Sequence, residues 1–210
     1  MQERRLLSDR EEAHALRLAR SQPESAQELQ ELIERVRAAA VEVVLNDPRV
    51  QQRVADTRYG VVGADLRDDK PEGEGAPSLR LAEVGLYDYD RDALVVAVID
   101  LRAGTVVGLE ERAGVQPPLS AEEVAEAQRM VLQDPQFQSA AQHPDLQAVA
   151  FPARAGFSEG HQRYGHRVVT LTLWTGEEPP SKVAEAAVDL SRRELVSVAE
   201  AELLDAFGQP

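Results

Sequence analysis

Two periodicities alternate along the chain, and the change from one to the other predicts its secondary structure. Apolar residues recur at three- and four-residue spacing through residues 29–44 and again through 124–131, which predicts two amphipathic helices. The stripe residues are Leu29, Leu32, Ile33, Val36, Ala40, Val43 and Val44, then Val124, Ala127, Met130 and Val131. Beyond each helix the spacing changes to two, which is typical of strands that bury one face of a sheet.

Four strands are predicted after each helix. The first set is 60–66, 79–89, 93–101 and 105–110, and the second is 146–151, 167–174, 182–190 and 194–200. Short turns join the middle strands of each set as hairpins. Because each helix has to bury its stripe, the predicted class is α+β: two tandem units, each a helix packed on an antiparallel sheet of about four strands.

Matching segments indicate that the two units are repeats. Residues 43–48 (VVLNDP) match residues 130–135 (MVLQDP), and residues 98–101 (VIDL) match residues 187–190 (AVDL). Both matches have nearly the same offset in the chain, which predicts an internal duplication. The predicted domains are 1–112, a first unit with an extended N-terminal helical region; 113–118, a Pro-rich linker; and 119–210, the second unit.

Ser-x-x-Glu patterns mark the predicted helix starts. Ser8 with Glu11 and Ser120 with Glu123 can each form a capping box, in which hydroxyl and carboxylate accept the first amide protons of a helix. The first unit is longer than the second in this helical region, and Pro23 is expected to begin a new helix there.

The composition narrows the classes of partner. With 37 acidic against 23 basic residues, the net charge of −14 disfavours nucleic acid and anionic membranes. The densest basic cluster, Arg163, His166 and Arg167, is too small for a nucleic-acid track. The absence of cysteine excludes disulfides and thiolate chemistry. With no signal-peptide core, we expect a cytoplasmic protein, although a trimmed export signal would leave no trace.

The segment 94–137 resembles the amino-terminal domains of copper amine oxidases. The resemblance lies in residues 95–108 (VVAVIDLRAGTVVG), 116–123 (QPPLSAEE) and 134–137 (DPQF). A looser resemblance exists to PepSY-type domains. The first resemblance implies tandem cystatin-like domains that stand ahead of a separate catalytic β-sandwich.

That family's chemistry does not extend to this sequence. The family makes topaquinone from Tyr in an Asn-Tyr-(Asp/Glu) motif and holds copper with three His. The nearest string, Asp88-Tyr89-Asp90, lacks the Asn, and no His-x-His occurs. We therefore carry over no catalytic residue, expect no cofactor, and do not expect an amine oxidase.

Three groups of residues remain as candidate sites. His161 and His166, with Glu159, could bind copper or zinc, although ordinary polar loop residues explain them as well. Asp88, Asp90 and Asp92 crowd one hairpin with Tyr87 and Tyr89, and a solvated turn explains them better than a calcium site. Asp100 and Asp189 occupy equivalent places in the two units, and we expect each to cap the turn into the final strand.

Aromatic residues supply the interface candidates. Trp174 is the only tryptophan, and it could anchor a partner or fill the core. Tyr87 and Tyr89 are the other interface or ligand candidates.

These observations favour a non-catalytic protein-interaction or accessory module that uses its sheet faces or the groove between its units. A carrier of a small apolar ligand and a metal-binding protein using the His161/His166 loop are the alternatives. We expect a protein partner, with self-association as one form of it.

Overall fold

The computed structural model describes residues 24–68, 79–153, 162–176 and 180–196. The predicted capping box at Ser8 and Glu11, the metal candidates Glu159 and His161, and the end of the predicted eighth strand at 197–200 lie outside the described residues.

The described chain contains helices and two four-stranded antiparallel sheets, so the predicted α+β class is confirmed. The helices are α1 (Glu24–Asn46), α2 (Pro48–Arg53), α3 (Ala121–Gln133) and α4 (Gln138–Ala141), with a 3₁₀ turn at Pro135–Phe137. The first sheet has the order β1 (Tyr59–Asp68), β2 (Leu79–Asp88), β3 (Ala93–Asp100), β4 (Thr105–Ala113). The second has the order β5 (Gln147–Pro152), β6 (Val168–Thr175), β7 (Ser181–Asp189), β8 (Glu194–Val196).

Packing divides the chain into two compact units. The first comprises Met1–Asp56, Gly60–Tyr87 and Val95–Arg112, and the second comprises Thr57–Tyr59, Asp88–Leu94 and Ala113–Pro210. The turn between β2 and β3 is therefore counted with the second unit. The domain boundaries inferred from the sequence stay a prediction, because a division by packing does not test which segments fold alone.

The first unit buries the predicted apolar stripe of α1 on its sheet. Leu32, Val36, Ala40 and Val44 are at most 7% exposed. They share one core cluster with apolar residues of the strands: Ala82, Val84, Leu86, Val95, Ala97, Ile99, Leu101 and Val106. Removal of this apolar surface from water is the main force that holds helix and sheet together.

In the second unit, α3 begins with the predicted capping box and packs on β6, β7 and β8. The Ser120 hydroxyl accepts the Glu123 N–H at 3.1 Å, and the Glu123 carboxylate accepts the Ser120 N–H at 2.9 Å. Ala127 and Val131 of the predicted stripe are fully buried. The capping-box prediction is thus confirmed.

The two Asp-Pro pairs adopt the same local structure. Asp47 caps α2 by accepting the Arg49 N–H at 2.9 Å, and Asp134 caps the 3₁₀ turn by accepting the Gln136 N–H at 2.9 Å. In both places proline occupies the first helical turn, where its missing N–H is not needed.

We expect Leu86→Ala to lower the free energy of unfolding by about 2–5 kcal/mol, because Leu86 is fully buried in the core of the first unit. Urea denaturation measures the change. The control is Val107→Ala on β4, where the side chain is 57% exposed and the expected change is below about 0.5 kcal/mol. Equal effects of the two variants would contradict the assigned core.

Candidate functional site

A fully buried arginine lies at the centre of the second unit. The Nε and Nη2 atoms of Arg167 each donate to one carboxylate oxygen of Glu123, both at 2.9 Å. The remaining N–H groups face the Gln116 side-chain oxygen at 3.2 Å and the carbonyls of Pro117 and Pro118 at 2.6 and 3.0 Å. The guanidinium has five N–H donors. These five acceptors match them in number, so the buried charge is fully compensated.

Tyr89 extends this network from the turn between β2 and β3. Its hydroxyl donates to Glu123 at 3.1 Å, and the guanidinium of Arg58 lies 4.6 Å from its ring centroid. Arg58 also donates to the carbonyls of Leu190 and Ser191 at 2.6 and 2.7 Å. Burial, reinforced by the Glu123 carboxylate, raises the pKa of Tyr89, so its hydroxyl stays protonated and remains a donor.

Asp189 is the centre of a second polar cluster. One oxygen accepts the Arg192 N–H at 3.0 Å, which confirms its predicted role in the turn before β8. The other accepts bonds from Arg163 Nη1 and His166 Nδ1, both at 2.7 Å. Its sequence equivalent, Asp100, caps a turn in the same way, accepting the N–H groups of Arg102 and Ala103 at 2.8 and 3.0 Å.

His166 lies between two carboxylates. Its Nδ1 contacts Asp189, and its Nε2 is 3.7 Å from the Asp92 carboxylate. Asp92 also accepts a bond from the Ser191 hydroxyl, whose oxygen in turn accepts the Arg167 N–H at 2.9 Å. Burial raises the pKa of Asp92, while the bond from Ser191 and the charge of His166 offset part of that rise.

Several side chains are more buried than the sequence indicated. Arg163 and Arg167 of the basic cluster are 9% and 0% exposed. His166 is not an ordinary loop residue, since its side chain is 10% exposed and paired with acidic groups. The hairpin at 88–92 is solvated only in part: Asp90 is exposed, whereas Asp88 is 1% exposed and accepts two backbone N–H groups.

The hypothesis of a copper or zinc site stays a prediction, because Glu159 and His161 lie outside the residues that the structure describes. In the parts of the chain that the structure describes, no three His, Asp or Glu side chains are grouped as metal ligands would be.

Trp174 lies on a partly exposed face of the second sheet. Cross-strand partners share a face, and the register pairs Gln147 with Trp174, Val149 with Thr172 and Phe151 with Thr170. Phe151 is 59% exposed and Val149 is 43% exposed. We call Val149, Phe151, Thr170, Thr172 and Trp174 the β5–β6 face.

The other two interface candidates are placed differently. Tyr87 is fully buried and Tyr89 is 9% exposed, with its hydroxyl in the network described above. Their proposed part in an interface stays a prediction.

The sequence pattern does not reveal the Glu123–Arg167 pair. In the sequence, Glu123 has a sufficient role in the capping box, where one carboxylate oxygen accepts a backbone N–H. The one signal of the pair is the arginine directly before the apolar strand 168–175, because a charge at a buried position needs a buried partner.

No family model and no curated protein matches the chain. Among solved structures, a copper-containing benzylamine oxidase from Hansenula polymorpha is similar over 75% of this chain, with 15% identity and a TM-score of 0.48. The chain spans 28% of the length of that oxidase chain. The resemblance to amine oxidase N-terminal domains therefore stays at the level of the sequence motifs.

None of the described helices has the length and hydropathy needed to cross a membrane.

We expect Glu123→Gln to lower the free energy of unfolding by about 3–5 kcal/mol, because it leaves the buried guanidinium of Arg167 without a counter-charge. Denaturant titration followed by circular dichroism measures the loss.

The matched control for this change is Glu126→Gln on the same helix. Glu126 contacts Arg193 at 3.0 Å with both side chains partly exposed, so the expected loss is below about 1 kcal/mol. A double variant, Glu123→Leu with Arg167→Met, should lose less than Glu123→Gln, because neither a charge nor its partner is left buried. Equal losses for the two Gln variants would show that the pair is not critical.

We expect Asp92→Asn to raise the melting temperature at neutral pH. Since the pKa of Asp92 is raised by burial, the folded chain binds this proton more tightly than the unfolded chain. The ionised carboxylate therefore costs stability at neutral pH, and that cost disappears as the pH falls through the raised pKa. The advantage of the variant should shrink on acidification and vanish below the ordinary aspartate pKa of 3.8. Asparagine tolerates the left-handed backbone at this position, where φ is 51°.

Asp145→Asn is the control, because its expected change in stability has the opposite sign to that of Asp92→Asn. Bonds from the Thr175 hydroxyl and the Gly176 N–H lower the pKa of Asp145. This variant should lose stability at neutral pH, and the loss should shrink as the pH falls through that lowered pKa. A pH-independent difference for Asp92→Asn would contradict the assigned cause.

Proposed function

We propose that this chain is a non-catalytic protein-interaction module that binds its partner through the β5–β6 face. The observation that carries the proposal is the exposure of Phe151 and Val149 side by side on one strand, next to Trp174 on the same face. Adjacent exposed apolar side chains are a common feature of contact surfaces, because they gain free energy when a partner removes them from water.

The position of β5 strengthens the proposal. β5 is the first strand in the order of its sheet, and its sequence, QAVAFP, contains no charged residue. Soluble proteins usually protect such edges with charges, bulges or covering segments. An uncharged edge beside an apolar face suits a protein partner better than a small polar substrate.

The polar groups of the second unit support a structural role for the network. Arg167 and Tyr89 both donate to Glu123, and Asp189 binds Arg163 and His166. Groups that are bonded in this way hold the fold and are not presented to a substrate. The sequence resemblance also implies a domain whose catalytic partner lies elsewhere. The carrier and metal hypotheses stay predictions, since no described contact favours either.

Site-specific photo-cross-linking tests this function in cells that make the protein. A benzophenone analogue of phenylalanine replaces Phe151, and the control replaces Ala125, which is exposed on α3. We expect a discrete cross-linked product from position 151 that is absent from position 125. The mass of the product, compared with the 23.0 kDa chain, separates self-contact from contact with another protein. No product from position 151, or the same products from both, would refute the proposed surface.

A further inference from the structure

The edge of β5 that faces away from β6 presents a definite set of backbone groups. The Ala153 N–H donates to the Val168 carbonyl at 2.8 Å, which fixes the alternation of the β5–β6 ladder. Phe151 and Val149 therefore direct their backbone groups toward β6. Ala148 and Ala150 direct N–H and C=O away from it, and Pro152, which has no N–H, offers only a carbonyl. Within the described ranges no further strand lies beyond β5.

Charge distinguishes β5 from the other outer strands that the structure describes. β1 contains Asp65 and Arg67, β4 contains Glu110, Glu111 and Arg112, and the described part of β8 begins with Glu194. In β4 the charges also pair within the strand, with Arg112 bonded to Glu110 at 2.9 Å. Charged side chains on an edge strand are a common protection against pairing with a second copy. β5 contains no charged side chain.

We propose that β5 pairs antiparallel with β5 of a second copy of this chain, with Ala150 opposite Ala150 at the twofold axis. This inference rests on the proposed function, and it names the partner. In this register each Val149 lies opposite Phe151 of the second copy on the β5–β6 face, so the exposed apolar side chains cover one another. Four backbone hydrogen bonds form: two exchanged between the Ala150 residues, and one from each Ala148 N–H to the Pro152 carbonyl of the other copy.

The neighbouring register is less favourable. Centring the pair on Val149 places Phe151 opposite Gln147, so that each aromatic ring faces an amide in place of an apolar side chain. A shift by a single residue would turn the apolar side chains of the two strands to opposite faces of the joined sheet. The pattern of side chains thus favours the register centred on Ala150 over the one centred on Val149.

Net charge gives this dimer a recognisable salt dependence. Each copy carries a formal charge of −14, so the two copies repel one another at low ionic strength. Salt screens that repulsion, with a Debye length near 10 Å at about 0.1 M and 3 Å at about 1 M. Dimerisation should therefore strengthen as salt is added, whereas binding of a basic protein to this acidic chain would weaken. The six-residue contact is small, so the dimer forms only at high protein concentration.

Sedimentation velocity of the full chain between about 1 μM and about 500 μM tests the proposal. We expect a monomer at the low end, a dimer at the high end, and tighter dimerisation at about 0.5 M NaCl than at about 0.05 M. Val149→Glu and Phe151→Lys should each weaken dimerisation about tenfold or more, because each places a charge against an apolar side chain. Val107→Glu on β4 is the matched control, and it should dimerise like the unmodified chain.

A mixture of the two variants provides the decisive measurement. In the proposed register the introduced glutamate of one variant lies opposite the introduced lysine of the other, while the second Val149–Phe151 contact stays intact. Equimolar Val149→Glu and Phe151→Lys should therefore form a mixed dimer that neither variant forms alone. The measurement uses soluble, folded variants, which circular dichroism verifies beforehand.

Three results would overturn the inference: a monomer at every concentration, a dimer that Val149→Glu leaves unchanged, or no rescue in the mixture. Cross-linking at position 151 to another protein, combined with a monomer in sedimentation, would retain the proposed function and refute the second copy as partner. Absence of both would refute both.

Discussion

The second unit depends on one buried ion pair. Taking a guanidinium out of water costs several kcal/mol unless its charge and all its donors are compensated. Arg167 meets that condition only when the Glu123 carboxylate, the Gln116 amide and two proline carbonyls stand around it together. The start of α3, the segment before it and the start of β6 are therefore fixed by a single residue. Glu123 serves twice, since its carboxylate also completes the capping box.

The Asp189 cluster likewise requires several segments to meet, because its buried charges also need their partners close by. Asp189 at the end of β7 fixes Arg163 and His166 ahead of β6, and Ser191 connects Asp92 to the Arg167 backbone. Hydrogen bonds have directions that apolar contacts lack, so these segments meet in one arrangement. Asp92 is the least favourable member, because burial raises its pKa and its ionised form is not fully compensated.

The buried polar network and the exposed β5–β6 face have different roles in the second unit. The buried network uses its polar groups on one another, which leaves them to stabilise the fold. The β5–β6 face has the opposite character: Phe151 and Val149 are exposed, and the strand that carries them has no charge to protect its edge. A protein that folds around a fully paired polar network can leave an apolar edge exposed without losing its structure. That separation is the physical basis for placing function on the face.

The sequence by itself determined the elements whose causes are local. Periodicity located the two long helices, though not the short helices α2 and α4, and placed the ends of the first seven strands within three residues, because burial of one face imposes its spacing on neighbouring residues. The capping box at Ser120 was likewise readable, since its partner lies three residues away.

Tertiary structure alone decided the rest. The partners of the Arg167 side chain lie 44 to 51 residues away in the chain, so no local spacing reveals them. The same holds for His166. The sequence predicts an ordinary loop residue, whereas the fold brings the carboxylates of Asp189 and Asp92 next to its ring. Strand 147–152 was predicted as a strand, but its place at the edge of a sheet follows from strand order, which is set by long-range pairing. Local interactions select the elements, and the compensation of buried charge decides how they meet.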